Sequence, residues 1–275
     1  MVRNLLLIFA VSMSCTVEMA ISATLQKETP RAIISDDFTN KRPRSRRRAK
    51  ATEKGPRTYR LASKPLTKSA AEFETLQLGL TIWKLQHRQM ELIAKRVEAD
   101  TQFREGDLLR LSIESPRVGY LYVIDRDWFT DGSSGETNLI FPALGEDNRM
   151  EAGKLIDIPA VDQLPFKTTP KPNQAGELLT IIVTSAPLPL TLSKDALPIS
   201  SRQLAEWDEL WGGLTERLEM DGGAGKTRTI EEQQAASRTR VRQLTRDDPG
   251  PQTIIRLLPK RADGLLFNLM LSYVR

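Results

Sequence analysis

The chain has almost no thiol or imidazole chemistry to offer, with one cysteine, Cys15, and one histidine, His87, among 275 residues. A single thiol cannot form an internal disulfide in any compartment, so the fold must hold without covalent cross-links. One imidazole excludes every site that needs two, such as the zincin helix, and leaves a single candidate base for a Ser-His-Asp arrangement. No Gly-x-Ser-x-Gly elbow accompanies it, and Leu85-Gln86-His87-Arg88 is a polar stretch just past a strand, so His87 is expected at the surface. Long apolar runs are missing too. The run from Leu5 to Val11 is only seven residues long and Glu18 closes the region, whereas a membrane-spanning helix needs about 20 apolar residues.

What stands at the start is instead the pattern of an export leader: Arg3 as a short positive region, the Leu5 to Val11 core, then the small residues of Ala20-Ile21-Ser22-Ala23. Residues 1–23 are therefore read as a signal peptide, and the mature chain as exported, periplasmic or secreted. The lipoprotein reading of Cys15 lacks the usual Leu three residues ahead, where Ser12 stands. Cleavage at residue 23 removes the lone thiol.

Residues 24–70 are rich in Lys, Arg, Pro, Thr and Ser without sustained periodicity, a composition that cannot bury enough surface to order itself, and are predicted to form a disordered basic linker. Twelve basic and four acidic residues put +8 between Thr24 and Arg60, so a chain of net charge +5 leaves −3 on the remainder. The positive charge belongs to the tail, which argues against a nucleic-acid-binding face on the domain. The run from Lys41 to Lys50 reads as a solvated tether, or as an electrostatic attachment to an anionic envelope polymer or lipid surface.

From residue 71 to 275 the pattern predicts a single, mainly β domain, an antiparallel β-sandwich with one or two packed α-helices. Leu76, Leu78, Leu80 and Ile82 alternate with Gln77, Gly79 and Thr81, giving one apolar face of a half-buried strand, and Leu109, Leu111 and Ile113 repeat the period. The stretches 118–124 and 178–183 are apolar in both parities and suit central strands covered on both sides. Thr253 to Leu258 and Leu265 to Tyr273 read as two closing strands, the last pinning the C-terminus in a sheet. Leu204, Trp207, Trp211, Leu214 and Leu218 fall at helical spacing behind a capping box at Ser200 and Gln203, with Gly222-Gly223 as the stop; a second, more polar helix is predicted from Thr229 to about Gln243.

Two segments resemble sites. Gly222-Gly223-Ala224-Gly225-Lys226-Thr227 ends like a Walker loop, but the signature needs a glycine where Met220 stands, and a helix precedes it where the nucleotide fold supplies a strand. It is read as a flexible glycine stop. The acidic stretch Asp125-Arg126-Asp127-Trp128-Phe129-Thr130-Asp131-Gly132, with Glu136 further on, is the best candidate for ligand or calcium contact through Asp125, Asp127 and Asp131. An EF-hand has its glycine at the sixth position and a leading helix, so a hairpin or compact surface loop is favoured and no cofactor is expected.

Phe103-Arg104-Glu105-Gly106-Asp107, Gly119-Tyr120-Leu121-Tyr122-Val123-Ile124, Leu139-Ile140-Phe141-Pro142, Asp147-Asn148-Arg149, Glu177-Leu178-Leu179-Thr180 and Arg217-Leu218-Glu219-Met220 occur in that order. Together they resemble a bacterial exported domain-of-unknown-function family, the uncharacterised family numbered 4384. The resemblance covers roughly Leu76 to Tyr273 and implies a β-rich module that also occurs beside caspase-like or kinase domains. It transfers no catalytic residue. A module shared by unlike enzymes points to recognition or scaffolding, in contact with an envelope polymer or a protein partner and without nucleic acid. The alternative is a hydrolase of envelope polymers that uses carboxylates, with calcium held by the Asp125 loop.

Overall fold

The computed structural model describes residues 38–44, 75–237 and 242–274; residues 1–23, read above as a signal peptide, and most of the segment read as a linker lie outside them. Among the described residues, thirteen strands form two antiparallel sheets that pack as a β-sandwich. Sheet 1 runs β11 (Gly213–Glu219), β12 (Thr253–Pro259), β1 (Leu76–Arg88), β3 (Leu108–Glu114), β7 (Ile156–Ile158), with β2 (Glu91–Val97) on β1 and β8 (Phe166–Lys167) on β3. Sheet 2 runs β10 (Leu197–Pro198), β5 (Ser134–Phe141), β4 (Gly119–Phe129), β9 (Gln174–Thr184), β13 (Gly264–Ser272), with β6 (Arg149–Met150) on β4.

Side chains alternate across a strand, and this alternation sorts the apolar residues. Leu78, Leu80 and Ile82 of β1 and Leu111 and Ile113 of β3 meet Leu121 and Val123 of β4, Ile181 of β9 and Phe267 and Leu269 of β13 in one core between the sheets. Each of these side chains is at least nine-tenths removed from solvent. Burying one such side chain stabilises the fold by roughly 1.5–3 kcal/mol before chain entropy is set against it, so the core can hold without disulfides.

Strand β1 departs from the expected half-buried pattern: Gln77, Thr81 and Trp83, of opposite parity to the core residues, are also buried. Part of the segment assigned to the linker lies over this face of β1 at Gly79. Phe38 is wholly buried beside Ile254, and Gly79 is the reason it fits, since a Cβ there would stand 2.8 Å from the Phe38 ring and from Pro251. Arg42 donates from Nε and Nη2 to the two oxygens of Glu114 at 2.7 Å, and from Nη1 to the carbonyls of Asp248 and Pro249 at 3.0 Å. Residues 38–44 therefore belong to the domain, and Arg42, expected on the solvated basic run, is a buried structural ion. The basic count of the segment hid one phenylalanine and one arginine that have partners on the sheet.

The rest of this cover is also polar. Trp83 donates from Nε1 to Ser112 Oγ at 2.7 Å, and Ser112 donates to Asp157 at 2.5 Å. Arg228 holds the same carboxylate through two nitrogens at 2.7 and 3.0 Å, while Arg96 pairs with Glu232. Both guanidiniums stand over the Trp83 ring, 5.4 and 5.3 Å from its centre, within cation–π reach.

Sheet 2 has an aromatic cover. Helix α1 (Ser201–Trp211) begins at Ser200, whose hydroxyl accepts from the Gln203 amide, and seats Leu204, Trp207 and Trp211 on Tyr122, Ile124, Ile182 and Leu266. The helix stops at Trp211, well short of the predicted extent. Gly212-Gly213 is the stop: helix propensity is lowest there, and a Cβ at Gly213 would sit 2.2 Å from the Leu258 carbonyl oxygen. Leu214 and Leu218 then lie on β11, paired with Leu258 and Ile254. Their helical spacing with Trp211 is coincidental, and Leu214 is exposed. Helix α2 (Ile230–Ala235) has a full capping box at Thr229 and Glu232 but only six residues, shorter than expected.

Removing one partner of a buried ion pair strands the other charge, at a cost of about 3–5 kcal/mol. Arg42→Met is therefore expected to lower the urea midpoint sharply, and Arg42→Met with Glu114→Met to recover most of the loss. Urea melts of the three proteins check this; an Arg42→Met midpoint equal to wild type would place Arg42 back in solvent.

Candidate functional site

Three strands of sheet 2 each carry an apolar series that ends in a polar residue on the same face and at the same rim. On β4, Leu121 and Val123 are followed at the same parity by Asp125 and Asp127; on β9, Ile181 and Leu179 by Glu177; beyond β13, Leu269 and Leu271 by Tyr273. The register joins them, with Asp127 opposite Glu177, Glu177 opposite Leu271 and Asp125 opposite Asn138. A cleft of about 550 Å³ opens here, lined by Asp125, Asp127, Phe129, Glu136, Asn138 and Lys171.

Asp127 is held from both sides. Lys171 Nζ lies 2.5 Å from Oδ2 and Gln174 Nε2 donates to Oδ1 at 2.8 Å. Gly135 makes room for the carboxylate, since a Cβ there would come within 2.7 Å of Oδ2. The hydrogen bond and charge of Asp127 in turn raise the Lys171 pKa. Glu177 accepts a hydrogen bond from the Tyr273 hydroxyl. Burial raises the Glu177 pKa against that bond, with repulsion from Asp127 adding to the rise; burial and the Glu177 bond raise Tyr273. Asp125 has an enclosed Oδ1 with no hydrogen-bond partner among the described residues. Burial first, then repulsion from Glu177 and Asp127, pushes its pKa up to about 7. The cleft therefore combines a carboxyl able to donate near neutrality with a second acidic side chain locked in place by Lys171 and Gln174, a set that can bind hydroxyl or amine groups or pass a proton.

Asp131 does not join Asp125 and Asp127. It stands in the turn between β4 and β5, where its Oδ1 accepts from the hydroxyl of Ser133 at 2.6 Å and from its amide at 2.9 Å, bonds that lower its pKa. The three-carboxylate calcium loop is thus not assembled, because β4 continues to Phe129 and carries the first two acids away on a strand face. Among the described residues no group of three or more His, Cys, Asp or Glu side chains is placed to hold a metal ion. Glu177, Tyr273, Asn138, Gln174 and Lys171 escaped the site reading of the sequence. The available signal was parity: Glu177 and Tyr273 are polar residues in phase with the core positions of their strands.

The glycine segment serves β2. Gly225 donates to the Arg96 carbonyl at 2.8 Å and Arg96 to the Lys226 carbonyl at 2.9 Å, so residues 225–226 pair like an added strand and their amides are not turned toward a phosphate. His87 is exposed near the tip of the β1–β2 hairpin, opposite Leu92 and on the strand itself.

The fold and cleft define an antiparallel β-sandwich with an acidic rim on one sheet. Compared with protein-family models, with curated proteins and with solved structures, the chain shows no significant match in any of the three. The resemblance to the uncharacterised exported family therefore rests on the residues quoted for it.

An acid whose folded pKa lies above its unfolded value contributes stability that is complete below the unfolded pKa and lost as pH rises through the folded one. Asp125 therefore makes the protein less stable between about pH 4 and pH 7, and Glu177 acts in the same direction. Asp125→Asn is expected to match wild type near pH 4 and to exceed it at pH 8 by about 2–4 kcal/mol. Urea melts at the two pH values check the sign, and an equal or lower midpoint for the variant at pH 8 would contradict it.

Proposed function

We propose that the chain is a non-catalytic binding module of the bacterial envelope or secreted space, and that its ligand contacts the cleft around Asp125 and Asp127. The observation that carries this reading is the preorganisation of Asp127. Its two oxygens are fixed by Lys171 and Gln174, so the group presents an aligned acceptor at little ordering cost when a ligand arrives. Asn138 and Phe129 add an amide and an apolar ring face to the same lining, a mixture suited to a hydroxyl-rich or amine-bearing ligand such as a fragment of an envelope polymer. The export leader supports the compartment and the resemblance supports the role of a recognition unit.

The second reading, a hydrolase of envelope polymers, is favoured by one observation. Asp125, with its pKa pushed up to about 7, shares the cleft with Asp127, whose oxygens are held by Lys171 and Gln174, and two carboxyl groups in unlike environments are what glycoside hydrolysis uses. On this reading Asp125 is the general acid and Asp127 the base or nucleophile.

Soluble fragments of purified peptidoglycan separate the two. As a binding module, the mature protein binds them saturably and releases no new reducing ends, and Asp127→Asn weakens binding by about tenfold. New reducing ends that vanish with Asp125→Asn would transfer the assignment to the hydrolase. Absence of binding and of product would remove both readings for this polymer.

A further inference from the structure

A second cavity, of about 450 Å³, lies on the other sheet, between the β1–β2 hairpin and the loop that leads into β8. Its lining is mixed, and the apolar part consists of Leu85, Leu92 and Ile93 on the hairpin side and Val161, Leu164 and Pro165 on the loop side. Leu164 and Leu92 stand 88% and 44% exposed at its rim. The lining also contains two guanidiniums, of Arg110 and Arg228, and each of these side chains is more than nine-tenths buried.

Both arginines carry an Nε–H with no acceptor among the described residues. Arg228 spends its other nitrogens on Asp157 and the Glu232 carbonyl; Arg110 donates from Nη2 to the Gln163 carbonyl at 2.8 Å. Asp157, already bound by Arg228 and Ser112, is shared between the two cations, with Asp162 adding a smaller attraction for Arg110. Burial and repulsion from Arg228 outweigh these attractions and lower the Arg110 pKa. The groove therefore offers incompletely compensated cations at its base and a hydrocarbon surface above them.

We propose that this groove binds an aliphatic carboxylate, with the carboxylate received by Arg110 and the chain laid along Leu92, Leu164 and Pro165. A planar carboxylate matches a guanidinium fork, and burial of the hydrocarbon chain contributes about 0.8 kcal/mol per methylene. The site is independent of the acidic cleft, which lies on sheet 2.

Titration of the full chain with decanoate, below its micelle concentration and followed by calorimetry, tests this directly. The expected result is saturable binding of one decanoate, with 1-decanol and acetate each weaker by about tenfold or more, because each lacks one half of the match. Arg110→Gln and Leu164→Asp are each expected to weaken decanoate binding by about tenfold. Leu164→Asp alters an exposed side chain and so keeps the test open if Arg110→Gln fails to fold. Absence of saturable binding, equal affinity for 1-decanol, or unchanged affinity in Leu164→Asp would each overturn the proposal.

Discussion

The apolar contact between the two sheets is the interaction on which everything else in this molecule depends. One parity of β1 and β3 and one parity of β4, β9 and β13 meet in a core of apolar side chains that no internal disulfide reinforces. Once those parities are committed inward, the opposite face of each central strand has to be covered by something else. The chain meets this requirement in two chemically different ways, and the groove at Arg110 follows from one of them, whereas the acidic cleft continues the core-facing parity to its rim.

Over sheet 2 the cover is helix α1 with its two tryptophans, a layer whose stability is chiefly hydrophobic. Over sheet 1 it is a set of buried ions: Arg42 on Glu114, Arg96 on Glu232, and Arg228 on Asp157, with Trp83 under two of the guanidiniums. Buried ion pairs add little net stability over an apolar equivalent, because desolvation offsets the attraction. What they impose is geometry, since each charge tolerates only the partner it has. Residues 38–44 and 220–237 are positioned by such pairs, and Arg110 is a cation of this layer with no charged hydrogen-bond partner of its own among the described residues.

The strands and the two-sheet architecture were legible in the sequence because period-two alternation depends on nothing but the strand itself. The Leu76 to Ile82 and Leu109 to Ile113 series fell where they were expected, and so did the doubly apolar β4 and β9. What failed were features decided by tertiary contact. Leu214 and Leu218 continue the helical spacing of Trp207 and Trp211, and only the close approach of Gly213 to the β12 backbone reveals that the chain has become a strand. Phe38 and Arg42 carry no local sign that they have partners on sheet 1. Asp125 and Asp127 could be found as acids close in sequence, but Asp131 was wrongly grouped with them because spacing along a chain does not say where a strand ends. Glu177 and Tyr273 come from distant strands and meet only through the β4–β9–β13 register.

If both sheets rest on one core, they must unfold together. Native-state hydrogen exchange followed by mass spectrometry tests this most directly, by comparing peptides from β1 and β3 with peptides from β4, β9 and β13. The shared core predicts that the slowest amides of both sets exchange with one free energy, equal to that of global unfolding. A sheet 1 that opens at a distinctly lower free energy than sheet 2 would show two separately stabilised layers and contradict the account.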